Sequence, residues 1–227
     1  MKRTGVDAKL PDAVPVFKLY GEHIGWPTPD LLHCESILKR SSLYEWHIRV
    51  HQHAELVQLL YLHKGQAEIE IEGVRRVVNE SSIQVIPALC VHGFRFSPGT
   101  QGYVLSLALP LLNRLEAQFG RQLDILSRPD CVPVKRSSHH IRSVFSTLLD
   151  EYIQDHDARE MMLYSLLSAL LVWLNRQGTL GVMAEDKSER KRQVLRQFSR
   201  LIESHYREHL SLAEYAQKLR ISTTHLN

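Results

Sequence analysis

Trp46-His-Ile-Arg-Val-His51-Gln-His53 joins a β-type alternation to two histidines separated by one residue. Successive side chains of a strand point to opposite faces, so Trp46, Ile48 and Val50 are expected on one face and His47, Arg49 and His51 on the other. His51 and His53 then converge on one side. The same texture runs outward to about Leu109, in short runs rich in Val, Ile, Leu and Tyr separated by Gly, Pro, Asn and Ser. Glu55 to Leu62 is a more apolar run. Ala67, Ile69 and Ile71 alternate with Glu68, Glu70 and Glu72, and Gly73 supplies a hairpin turn before Val74 to Val78. Ile83 to Pro87, Gly93 to Phe96 and Tyr103 to Leu109 add further strands. Many short strands at this spacing predict a sandwich or barrel over residues 1–109.

After Pro110 the apolar period becomes helical. Leu111, Leu112, Leu115 and Phe119 form one stripe, closed by Gly120, and Ile141, Val144, Phe145, Leu148, Leu149 and Tyr152 form a second. Met161 to Leu174 is apolar almost all round, so it must be buried on more than one side. Two solutions stay open: packing between the barrel and another helix, or a place in a dimer interface. The stretch is too short to span a bilayer. Residues 110–178 therefore read as a helical, dimerising segment, and 179–189 as a linker.

Residues 190–227 read as all-α. Val194, Leu195, Phe198, Leu201 and Ile202 make a helix ending near His205. Ser211 is followed three residues later by Glu214, so each side chain can satisfy a backbone N–H at a helix start. Leu212, Tyr215, Ala216 and Leu219 then fall on one face, before Arg220-Ile221 leads to Ser222 as a second N-cap. This is a helix-turn-helix whose second helix breaks off at Asn227. Ser222, Thr223, Thr224, His225 and Asn227 stand where base edges or phosphates are read, although each alone also reads as a cap or solvated surface.

The charge supports that division. Residues 187–227 hold nine Lys/Arg against four Asp/Glu, a net of +5, while the rest of the chain holds nineteen against twenty-one, a net of −2. A basic terminal module on a near-neutral body is the electrostatic footprint of nucleic-acid binding, and a solvated helix face gives the same bias. Cys34, Cys90 and Cys131 are widely spaced, which argues against a disulfide framework or a cysteine-rich zinc site. Met1-Lys-Arg-Thr-Gly is followed by no apolar h-region, so a cytoplasmic protein is expected.

His92, five residues after Pro87, offers a third nitrogen to His51 and His53. The set resembles the small cupin barrel, whose first motif is His-x-His with a Glu four or five residues on and whose second is Pro followed by His. Here Gln58 stands where that Glu is expected, with Glu55 closer in and expected to point the same way as the histidines. An amide is a poor ligand for transition metals. Three readings stay open: a metal on His51, His53 and His92, a metal-free pocket whose histidines and Gln58 hydrogen-bond an organic ligand, and structural histidines. Arg49 could present a fork to a carboxylate or be a solvated strand arginine. Trp46, Tyr61 and Phe94 could stack on an aromatic ligand or belong to the core.

The chain as a whole resembles an AraC-type transcriptional regulator, with a cupin-like effector domain, a helical dimerisation segment and a DNA-binding domain. Ala216, Ser222 and Leu226 match that family's first helix-turn-helix. Pro15-Val-Phe-Lys-Leu-Tyr-Gly-Glu22, the Trp46 to His53 octet, Gln58-Leu-Leu-Tyr61 and His92-Gly-Phe resemble the branch that activates 4-hydroxybenzoate hydroxylase and related aromatic-acid catabolism. The resemblance implies an α+β fold, no catalytic residues and no resident cofactor. It also implies a homodimer with no membrane contact, a small aromatic carboxylic acid as effector, and a DNA operator. Arg49, His51, His53, Gln58, His92, Trp46 and Tyr61 would contact the acid. Since the family's DNA-binding domain carries two helix-turn-helix units, a chain ending at Asn227 is expected to bind its operator weakly. The alternative is a metal-dependent cupin oxygenase or isomerase with an appended helical domain, which would leave the basic tail unexplained.

Overall fold

A computed structural model describes residues 31–42, 45–135, 137–178 and 210–226, with isolated positions between 194 and 208. The Pro15 to Glu22 motif, the linker, Asn227 and most of the helix before His205 lie outside the described residues. The chain divides into two compact units, Met1–Leu180 and Gly181–Asn227.

The first unit is α+β, built on two antiparallel sheets. Its elements are β1 (Leu32–Ser36), α1 (Ile37–Ser42), β2 (His47–His51), β3 (Leu56–Lys64), β4 (Ala67–Ile71), β5 (Val74–Val78), β6 (Ser82–Ile86), β7 (His92–Phe96) and β8 (Gln101–Ala108). Then come α2 (Leu109–Phe119), a single 3-10 turn (Asp124–Ser127), β9 (Asp130–Pro133), α3 (Ser138–Ile153) and α4 (Arg159–Gly178). Five strands lie in the order β1-β8-β3-β6-β9 and four in the order β2-β7-β4-β5. The β4–β5 hairpin turns through Glu72 and Gly73, both at positive φ, the backbone a two-residue hairpin loop needs to match strand twist.

The two faces of β3 explain why its sequence reads as a continuous apolar run. Val57, Leu59 and Tyr61 join a core with Leu105 and Leu107 of β8, Ile83 and Val85 of β6, Phe145 of α3 and Leu167 of α4. Leu60 and Leu62 point the other way, to Ile48, Ala67, Ile69, Phe94 and Phe96 of the four-stranded sheet. A strand covered on both faces needs no polar side, and each fully buried leucine contributes about 1.5–3 kcal/mol. The five-stranded sheet is thus the middle layer, with helices on one face and the second sheet on the other.

α4 settles into that helical layer by burying Leu163, Leu167, Leu170, Leu171 and Leu174, while Met161 and Met162 stay exposed. Gly120 ends α2 in the left-handed conformation at φ 66, and its N–H donates to the Ala117 carbonyl. β1, α1 and β9 carry no periodic signal. β1 and β9 are edge strands of four or five residues, and α1 has six.

α1 joins the edge strand β1 of one sheet to the edge strand β2 of the other, closing one side of the sandwich. Its Ile37 is fully buried and lies against β8, where a Cβ built on Gly102 would fall 2.6 Å from Ile37 Cδ1 and 2.0 Å from the Tyr61 carbonyl oxygen. Gly102→Ala is therefore expected to destabilise this unit by about 2–3 kcal/mol through overpacking, read as a lowered urea midpoint with an unchanged slope.

The second unit contains α5 (Leu212–Leu219) and α6 (Thr223–Leu226). Ser211 caps α5 with both halves of a capping box: its Oγ accepts from Glu214 N–H, and Glu214 Oε2 accepts from Ser211 N–H at 2.7 Å. Tyr215, Ala216 and Leu219 form the buried face, and Phe198 meets the Tyr215 ring edge-on at 5.5 Å. The chain leaves α5 through Arg220 at φ 55, with Ile221 N–H donating to the Ala216 carbonyl at 3.0 Å. Ser211→Ala is expected to cost this unit about 1 kcal/mol, measurable as reduced helicity and a lower unfolding midpoint.

Candidate functional site

Alternation along the middle layer turns a set of polar side chains into the space between the sheets. Gln58 of β3, Ser106 of β8, and Ser82 and Gln84 of β6 share the face that carries Leu60 and Val104, and all are buried. From the facing sheet come His51 and His92, cross-strand partners on β2 and β7, and His53 follows just beyond β2. The three histidines are each no more than 2% exposed. Their rings lie 4.3 Å apart for His51 and His92, 4.9 Å for His51 and His53, and 5.4 Å for His53 and His92.

The inward turn of His51 depends on an irregularity that simple alternation does not foresee. Between Ile48 and His51 the register with β7 shifts, so both residues point inward while Arg49 between them is exposed. A bulge adds one residue and reverses the faces beyond it. Arg49 therefore stands on the outer surface rather than beside His51, and Glu55 is exposed as well. Tyr61 is set apart more completely. It faces the helices, stacked 4.9 Å from Phe145, because odd-numbered β3 residues turn away from Gln58. Trp46 is half-buried at the rim of the inter-sheet core, and Phe94 lies within that core, 5.4 Å from His92.

The hydrogen bonds fix proton positions. His92 Nδ1 lies 2.8 Å from the Cys90 carbonyl, and His51 Nδ1 lies 2.8 Å from the Arg49 carbonyl. A carbonyl can only accept, so each Nδ1 carries the hydrogen. Burial, together with the neighbouring imidazoles, pushes His51 down to about 2 and His92 down to about 3. Both rings are neutral near pH 7, and each Nε2 holds a lone pair. Gln58 contacts His92 Nε2 at 3.1 Å through one amide atom and Ser106 Oγ at 3.1 Å through the other. Two acceptors cannot bond each other. The satisfied arrangement has the Gln58 NH2 donating to His92 Nε2 and its carbonyl accepting from the Ser106 hydroxyl.

This charge state links stability to pH. In the unfolded chain these histidines titrate near 6.5, whereas folded His51 and His92 stay neutral far below that. Their contribution is fully present above pH 6.5 and is lost as pH falls, since only the unfolded chain takes up the protons. Between pH 7.5 and 5.5 the pair is expected to withdraw about 2.7 kcal/mol from the unfolding free energy, measurable by urea titration at the two pH values.

Sequence reading missed a fourth ionisable neighbour. Arg40 of α1 is 8% exposed, pairs through Nη1 with Glu35 Oε1, and its charge depresses both His51 and His92. Desolvation opposes ionisation of Glu35, but His33 and Arg40 outweigh it and hold the carboxyl below its usual range. No periodicity marks Glu35 or Arg40, since they straddle a strand-to-helix junction. Ser106 did carry a signal, as the one hydroxyl in Val104-Leu-Ser-Leu-Ala108.

The cupin resemblance implies a metal, and the donors can be tested for fit. One nitrogen from each of His51, His53 and His92 lies within 4.8 Å of the others, and among the described residues this is the cluster of that kind. His51 and His92, neutral and with their Nδ1–H groups anchored on carbonyls, suit a divalent ion such as zinc. Among the described residues no carboxylate joins them. Gln58, on His92 Nε2, occupies that position.

A two-sheet β-sandwich covered by helices, with a buried polar cluster at its centre, is the build of a small-molecule-binding domain. The model of the AraC-like ligand binding domain matches residues 33–171, and the chain belongs to that family. Among solved structures it is similar to ToxT from Vibrio cholerae bound to (E)-4-(8-methylnaphthalen-1-yl)but-3-enoic acid, at 12% identity over 87% of this chain and 76% of that one, with a TM-score of 0.48. It is also similar to wild-type ToxT from Vibrio cholerae with an unsaturated fatty acid bound, at 12% identity over 85% and 69%, with a TM-score of 0.43. The AraC-like transcriptional activator CuxR aligns at 9% identity over 76% and 59%, with a TM-score of 0.42. None of the curated proteins matches the chain.

Proposed function

We propose that this chain is the sensing part of an effector-responsive, non-enzymatic transcriptional regulator, and that its effector is a small hydroxylated aromatic carboxylic acid such as 4-hydroxybenzoate. The observation that carries the reading is the pair of neutral, buried imidazoles whose Nε2 lone pairs join a cluster with His53 and Gln58 between the sheets. A phenolic O–H is a donor that can take the place of the Gln58 NH2 on His92 Nε2, with Phe94 beside His92 as an aromatic wall. His51, His53, Gln58 and His92 are the polar contacts and Trp46 a rim contact. Tyr61 and Arg49 drop out of the contact set on their placement.

The second unit is the start of a helix-turn-helix in this reading. Ser222, Thr223 and Thr224 are exposed at the beginning of α6, while the side chains of His225 and Asn227 lie outside the described residues. The exposed Met161 and Met162 of α4, with Ile153 of α3, supply an apolar surface for a homodimer in which the acid biases one arrangement of the two DNA-binding units. No helix among the described residues is long and apolar enough to cross a membrane, and a cytoplasmic location accords with this reading.

Operator binding tests it. A form extended through a second helix-turn-helix is expected to bind a specific operator in a salt-sensitive, hydroxybenzoate-dependent manner. Binding indifferent to sequence and to acid would sink it. The histidine cluster also supports a second reading, a metal-dependent cupin enzyme. His51, His53 and His92 would hold the ion, and the ion would supply Lewis-acid activation of a bound oxygen. Stoichiometric zinc, iron or manganese in the purified protein would favour that reading over the metal-free pocket.

A further inference from the structure

We propose that Arg40 is the residue that reads the negative charge of the effector, with Glu35 and His33 holding its guanidinium in place. This rests on the acid-sensing reading above and assigns the end of the ligand that the histidines leave unread. A neutral imidazole and an amide can meet a hydroxyl or a ring, but neither favours a carboxylate over its uncharged analogue. Arg49, the arginine suggested by the sequence, lies on the outer surface.

Arg40 has the position. α1 closes the side of the sandwich between β1 and β2, and Ile37, one turn before Arg40 on the same helix face, packs among Ile48, Leu60, Phe94 and Val104 between the sheets. Arg40 is itself buried, and its charge is felt at His51 and His92 on the facing sheet. Burying a guanidinium is costly unless its charge is met, and Glu35 of the adjoining strand meets it through Nη1. Glu35 Oε1 also lies 3.5 Å from His33 Nε2, and His33 Nδ1 meets the Tyr152 hydroxyl at 2.8 Å. The carboxylate that holds Arg40 is thus itself held from its far side. A guanidinium presents five N–H groups in a rigid fork, so one edge can serve Glu35 while another receives a ligand carboxylate. The acid then spans the space from Arg40 to the histidine cluster, its hydroxyl at the imidazoles and its carboxylate at the fork.

The test compares 4-hydroxybenzoate with 4-hydroxybenzamide by isothermal titration at pH 7.5. The two share ring and hydroxyl, and only the acid is charged. The unaltered chain is expected to prefer the acid by about twentyfold or more. Arg40→Gln combined with Glu35→Gln removes the pair without leaving a buried charge alone. It is expected to bring the ratio to about threefold or less while amide affinity is kept, whereas Arg49→Gln keeps the full ratio. Arg40→Lys retains the charge but loses the fork, and is expected to give an intermediate ratio, which covers the case in which the double variant does not fold. A full ratio in the Arg40 variants, or a ratio that collapses in Arg49→Gln, overturns the assignment. If the unaltered chain binds neither compound, the acid-sensing reading has failed and Arg40 falls with it, an outcome distinct from amide binding that persists without discrimination.

Discussion

Phe145→Ala is expected to lower the unfolding free energy of the sheet-and-helix unit by about 3–5 kcal/mol. Phe145 is wholly buried in α3, stacked on Tyr61 of β3 at 4.9 Å and on Tyr103 of β8 at 5.8 Å. Truncation would remove the ring from both stacks and leave a cavity walled by strands and helix, neither of which can collapse freely into it. Urea denaturation followed by far-ultraviolet circular dichroism reads the effect. A loss under about 1.5 kcal/mol would mean that the helices and the five-stranded sheet do not share one core. The same variant should leave the His51, His53 and Gln58 cluster intact, because Phe145 lies on the opposite face of that sheet.

His92→Leu is expected to weaken 4-hydroxybenzoate binding by about fiftyfold, since a site built to hydrogen-bond a hydroxyl discriminates strongly once its partner is gone. Leucine is close in bulk, so the loss reports Nε2 rather than a collapsed wall. The substitution strands the Gln58 NH2, which costs about 1–3 kcal/mol of stability, but it also removes one of the two groups responsible for acid sensitivity. Calorimetric titration and urea curves at pH 7.5 and 5.5 separate the two effects. Tyr61→Phe is the matching control. It lies three residues from Gln58 on the same strand yet faces the helices, and it is expected to leave affinity unchanged. A large loss with Tyr61→Phe and none with His92→Leu would place the ligand elsewhere.

The strands that β alternation marks, the β4–β5 hairpin, the three long helices and the Ser211 cap were legible because each writes its periodicity or capping chemistry into consecutive residues. β1, α1 and β9 were not, because they are short and take their conformation from the edges they complete. The histidine cluster was legible in composition but only partly in geometry. His51 and His92 emerged from spacing, whereas the bulge that turns His51 inward and sends Arg49 outward is a property of the pairing between β2 and β7. Tyr61 shows the same limit. On a strand buried on both faces, an aromatic residue three positions from Gln58 looks equally placed for ligand or core until its layer is known. Arg40 and Glu35 were invisible for a different reason. Their pairing crosses a strand-to-helix junction, and it acquires meaning only when α1 is seen to close the sandwich beside His51 and His92.

Thermal unfolding of this chain across a series of 4-hydroxybenzoate concentrations at pH 7.5 reads whether the buried cluster between the sheets receives a small aromatic acid. Binding to the folded state alone raises stability by about 2.7 kcal/mol at a hundredfold excess over the dissociation constant, so the midpoint should climb steadily with the logarithm of concentration. A midpoint that stays flat for 4-hydroxybenzoate and for other hydroxybenzoates up to their solubility limits would mean that the cluster is not a site for such acids.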